Sequence, residues 1–150
     1  MVRLGMFLLA VLLQGQLLGE AEAERSLESV RWEHRVLAYV VSSEAERIEL
    51  EQALVRGAEA LEDRDLLLVS LGEIELEWDR SFRMSAEEKS RWRERWQIEE
   101  GVSQFVLVGK DGGTKAFQKG ELQLELLFEL IDRMPMRAAE LRDREGRTEK

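Results

Sequence analysis

Ser42 and Ser43 are the residues best placed for nucleophilic chemistry. They stand in the stretch SSEAERI, directly after the apolar run RVLAYVV (35–41). A serine attacks only when a general base can take its proton. The chain has one histidine, His34, and it precedes that run, so a strand over 35–41 would carry it to the opposite end. Ser43 and Glu46 also have capping-box spacing, in which the serine hydroxyl satisfies a free N–H of a helix's first turn. Capping by itself therefore explains the serines.

Other chemistries find less to work with. With no cysteine in 150 residues there is no disulfide and no thiol nucleophile. With one histidine, a metal site would have to be built from carboxylates, which suit calcium or magnesium. The acids in EDRD (62–65) and KDGG (110–113) lack the alternating ligand spacing of a calcium loop, so solvated charge is expected and no metal or cofactor is assigned. GKDGG is not a phosphate loop, because it opens into a strand and lacks the Gly-Lys-Ser/Thr ending. A net charge of −9 argues against general nucleic-acid binding.

One constellation could recognise a protein. Trp78, Phe82, Trp92 and Trp96 are interleaved with Arg80, Arg83, Lys89, Arg91, Arg93 and Arg95. Tryptophan and arginine are the usual anchors of interfaces, so Trp78, Arg91, Trp92 and Arg95 are candidates for a surface that meets an acidic partner. Trp92 and Trp96 lie one helical turn apart, and that spacing equally suits a small core beneath a charged helix.

The elements that would position these residues follow from periodicity. RVLAYVV reads as a strand buried on both faces. A capped helix follows to about Glu62, with Ile48, Leu50, Leu54, Ala58 and Leu61 as its stripe. DLLLVSLG (65–72) is a second buried strand, so the first two strands should be parallel. GEIELEW alternates strictly and reads as a half-exposed strand or strand extension. Ser85 and Glu88 open a charged helix to about Trp96. QFVLVG and TKAF form an antiparallel pair across KDGG, where Gly112 and Gly113 accept positive φ. A last helix over about 121–133 should turn Leu122, Leu126, Leu127, Leu130, Ile131 and Met134 inward, limited by Pro135. The charged segment 136–150 is expected to fray and then lose order.

The beginning of the chain has its own pattern. Arg3, an apolar run from Leu4 to Leu13 and a small-x-small ending at Ala21 and Ala23 form the three parts of a signal peptide. Cleavage between Ala23 and Glu24 is expected. Glu20 stands where a lipidated cysteine would be needed, so the product should be exported and free of a membrane anchor, in the periplasm or outside the cell. That leaves a lead-in over 24–34 and one domain over 35–135.

The order βαβα-ββα is that of a thioredoxin-like α/β three-layer sandwich with a mixed sheet. RVLAYVVSSEAER, FVLVGKDGGTK and LIDRMPMRAAEL resemble the landmark segments of an uncharacterised thioredoxin-like family of bacterial exported proteins. The family is similar to domains of vertebrate sushi-repeat and coiled-coil-domain-containing matrix proteins, with a kinship to peroxiredoxins. The resemblance implies a fold and an exported location, and no established activity. Redox members of the fold keep a nucleophile just after the first strand, and many keep a cis-proline before the third. Here those places hold SSEAERI and Val102-Ser103-Gln104. The expected role is therefore a redox-inert binding module for another exported protein. The alternative is an enzyme whose chemistry does not use a thiol.

Overall fold

A computed structural model describes residues 24–76 and 82–148. The proposed signal segment, with Ala21 and Ala23, lies outside the described residues, as does Trp78; Glu24 is described and exposed. A 3-10 helix (Leu27–Val30) leads into β1 (Arg35–Val40), α1 (Glu44–Arg56), α2 (Ala58–Asp63), β2 (Leu66–Ser70), α3 (Ala86–Arg95), β3 (Gln104–Val108), β4 (Thr114–Lys119), α4 (Leu124–Asp132) and α5 (Pro135–Thr148).

The four strands form one sheet in the order β2-β1-β3-β4. β1 and β2 run parallel, with Leu37 opposite Leu68, and β3 pairs antiparallel with both β1 and β4. β1 is buried along its whole length because the pleat feeds two cores. Leu37, Tyr39 and Val41 pack under Leu50, Leu54, Leu61, Leu124, Leu127 and Ile131 of α1, α2 and α4. Val36, Ala38 and Val40 pack on the other face with Leu27, Val30, Phe82, Met84 and Trp96. The result is the expected three-layer α/β sandwich with a mixed sheet. Among the described residues, no helix is long and apolar enough to cross a membrane.

Several local expectations are corrected. The first helix divides at Gly57, where a Cβ would meet Leu124 Cδ2 at 2.8 Å and any larger residue would require that side chain to shift. Its stripe also rotates, leaving Ile48 exposed. Residues 73–76 alternate in burial, but they are not a strand. Leu76 donates its backbone N–H to the Tyr39 hydroxyl at 3.0 Å, a side-chain substitute for a ladder bond. In α4, Leu126 is exposed and Leu130 only half-buried, because the helix starts later than expected and turns Leu124, Leu127 and Ile131 to the sheet. Finally, Pro135 does not end helical structure but begins α5. Its missing N–H is harmless in a first turn, and its fixed φ suits a helix start. Segment 136–148 is helical, and charge rather than apolar burial docks it, as described below.

In the β3–β4 turn, Gly112 has φ +79° while Gly113 does not reach the left-handed region. Only one glycine of the pair is thus required by backbone sterics.

Candidate functional site at the carboxyl end of the first strand

The carboxyl end of β1 holds a tight polar cluster centred on Glu46. Ser43 caps α1, its hydroxyl accepting from Glu46 N at 3.2 Å. In return, one carboxylate oxygen, Glu46 Oε2, collects three hydroxyls. Ser103 Oγ donates to it at 2.9 Å and Ser43 Oγ at 3.3 Å, while Ser42 Oγ makes a third, short bond. Ser42 N also donates to Oε2 at 3.2 Å and to Ser103 Oγ at 2.9 Å. The Ser42 hydroxyl, followed by that of Ser103, holds the Glu46 carboxyl below its ordinary range. A carboxylate so satisfied is a poor proton acceptor, and the serines are engaged as donors. His34 lies at the other end of β1, its Nδ1 buried without a hydrogen-bond partner among the described residues. The arrangement supplies no activated nucleophile. Ser103 directly precedes β3, and no described peptide bond is cis.

A crevice of about 720 Å³ opens beside this cluster, beyond the ends of β1 and β2. α3 forms one wall. Lys89 Nζ donates to Gly72 O at 3.3 Å and pairs with Glu75 at 2.7 Å; Arg93 Nη1 donates to Leu71 O at 3.2 Å. These bonds fix α3 against the end of β2. Away from the crevice, towards the core beneath α3, Trp92 and Trp96 stack with ring centroids 4.6 Å apart. Trp96 is buried and donates Nε1–H to Thr114 Oγ1 at 3.0 Å, and Trp92 is half-buried against the same core. Arg91 and Arg95 are exposed, and the Arg95 guanidinium lies 5.3 Å from the Trp92 ring centre. The structure thus brings Arg91, Trp92 and Arg95 together on α3.

The opposite end of the sheet carries the main ionic cluster among the described residues, which sequence reasoning missed. Arg35 opens β1 and is 1% exposed. Its guanidinium donates to both Glu140 oxygens at 3.1 and 3.2 Å and to Arg64 O at 2.9 Å. Lys110 Nζ, also buried, sits 2.8 Å from Glu140 and 2.8 Å from Asp65. Arg137, 2% exposed, grips Asp63 through a short ion pair and its backbone carbonyl at 2.7 Å, and reaches Asp132 at 3.3 Å. Arg144 adds a second ion pair to Asp63. Burial alone would raise the Asp63 and Glu140 carboxyls, but their cations hold both below the ordinary range. Arg137, Glu140 and Arg144 recur at helical spacing, and that stripe of charges was the available signal. Among the described residues, no group of three or more acids or histidines is placed to hold a metal ion.

Strand order, strand directions and the helices on both faces define a thioredoxin-like domain. The family described as Domain of unknown function (DUF4174) matches residues 26–140, and the chain belongs to it. No curated protein matches the sequence. Among solved structures, the chain is similar to reduced 2-Cys peroxiredoxin of Plasmodium vivax, at 15% identity and a TM-score of 0.48, over 79% of this chain and 84% of that one. The segments that carry the family resemblance meet in the ionic cluster, through Arg35, Lys110, Arg137 and Glu140.

Proposed function

We infer that this is an exported, redox-inert thioredoxin-like domain that works as a protein-binding module. The observation that carries this reading is α3. None of its ten residues is fully buried, yet it is fixed in place by Lys89 and Arg93 and presents Arg91 and Arg95 around a half-buried tryptophan. A rigid aromatic beside exposed guanidiniums suits an acidic protein surface. The crevice walled by Lys89, Ser90 and Arg93 of the same helix lies where open α/β sheets ordinarily take their ligands, beyond the carboxyl ends of the strands. The end of β1 supports the redox-inert part, since a satisfied Glu46 carboxylate and serine hydroxyls replace sulfur there, and without sulfur no mixed disulfide forms.

Affinity capture from the exported fraction tests the reading, comparing native protein with Arg91→Ala and Arg95→Ala. A specific partner should be lost from both variants while their melting temperatures hold. Unchanged capture by both would remove α3 as the binding surface. Catalytic reduction of insulin disulfides above a heat-treated control would refute redox inertness. Mass spectrometry of the exported protein should show Glu24 as its first residue.

A further inference from the structure

A second cleft, of about 270 Å³, lies on the other face of the sheet and is independent of the α3 surface. It runs between the outer side of α1 and the loop joining β4 to α4. Val41, Leu50, Phe105 and Leu122 provide its apolar floor. Its rim is unequally charged: Glu46, Glu49 and Glu121 against Arg56 alone. Glu46 and Arg56 are ten residues apart on one helix, so the cleft extends roughly 15 Å along α1 at 1.5 Å per residue. A strand advances about 3.3 Å per residue, so four or five extended residues would fit that length.

Glu46 makes the cleft more than an acidic patch. Its Oε2 is fixed by three serine hydroxyls, one from the buried Ser103, while Oε1 has no hydrogen bond among the described residues. One oxygen holds the carboxylate in place and the other is left for a donor. A capping box needs a single reciprocal bond to the backbone. The bond from Ser103, 57 positions away and just before β3, exceeds that need, and both residues line the cleft.

We propose that this cleft docks an extended segment of a partner polypeptide that sets an apolar side chain on the Leu50–Phe105–Leu122 floor and a neighbouring lysine or arginine against Glu46. Charge complementarity selects the basic residue, and the apolar floor selects the neighbouring apolar side chain.

Fluorescence anisotropy with three labelled pentapeptides tests this, one alternating leucine with lysine, one leucine with glutamate and one serine with lysine. The leucine–lysine peptide should bind at least tenfold more tightly than either other. Glu46→Gln and Glu121→Gln should each weaken it several-fold, and Glu121 lies on a loop outside any cap. Glu129→Gln, on the exposed side of α4, should leave binding unchanged. Equal weakening by Glu129→Gln would reduce the effect to the protein's net charge and overturn the proposal. So would tight binding of the leucine–glutamate peptide, or no detectable binding of the leucine–lysine peptide to folded protein. Displacement of the peptide by equimolar n-butylamine would make this a small-amine site and overturn the polypeptide occupant.

Discussion

Replacing Glu140 with alanine removes the anion that joins α5 to the sheet. The carboxylate is bidentate to Arg35 and lies 2.8 Å from Lys110, with a side-chain exposure of 19%. Its loss strands a guanidinium that is 1% exposed. Breaking a buried pair by deleting one partner costs about 3–5 kcal/mol, because the remaining charge is left uncompensated. Lys110 keeps Asp65 and Arg35 keeps the Arg64 carbonyl, so the lower end applies, about 3 kcal/mol. For a domain of this size that corresponds to a fall in melting temperature of about 10 °C. Thermal unfolding followed by circular dichroism measures it. Glu129→Ala is the matched control, since its pair with Arg133 is exposed on both sides and contributes under about 0.5 kcal/mol. A Glu140→Ala shift no larger than the control's would show that burial adds nothing to this cluster, and the account of α5 docking would fail.

Other outcomes follow from the same contacts. The Asp63 and Glu140 carboxyls are held below their unfolded values of 3.8 and 4.5. Their contribution is present above those values and is lost as the pH falls through the lower folded ones. Urea midpoints should therefore drop below about pH 4, and Asp63→Asn should flatten that acid limb. Gly112→Val should cost about 1–2 kcal/mol for a β-branched residue at φ +79°, whereas Gly113→Ala, outside the left-handed region, should cost less in the same denaturation assay. Trp96→Ala should lose about 3–5 kcal/mol in chemical denaturation, while exposed Arg91→Ala should stay within about 0.5 kcal/mol. Equal losses would contradict the contrast between the buried Trp96 at the end of α3 and the exposed Arg91 on it.

β1, β2 and β3 were legible because they are near-continuous apolar runs, and β4, polar and largely exposed, was legible only through the turn residues before it. The capping boxes at Ser43 and Ser85 were legible because they are local: in each, the serine hydroxyl accepts from the N–H three residues on. What failed was non-local. The space at Gly57, where the helix divides, is limited by Leu124, which no window around residue 57 contains. Leu76 belongs to no ladder because Tyr39 satisfies its N–H from a distant strand. The tail read as solvated charge because its counterions, Asp63, Lys110 and Arg35, lie in segments that looked like a helix end, a turn and a strand. At the candidate site, Ser43 and Glu46 were readable as a pair. Ser103 was noted only as a replacement for a proline, since its bond to Glu46 crosses 57 positions of chain.

The bond between Arg35 and Glu140 spans 105 positions. Contacts so distant in sequence form late, after loop closure has been achieved by nearer pairings. During synthesis, β1 and its parallel partner are available long before α5 emerges, so Arg35 has no carboxylate from α5 through most of the chain's elongation. Interactions absent from the folding transition state affect the unfolding rate far more than the folding rate. Weakening the clasp should leave refolding nearly as fast as before and shorten the lifetime of the native state. The last helix thus acts as a latch in time: it adds little to how quickly the domain is made and sets how long it stays shut.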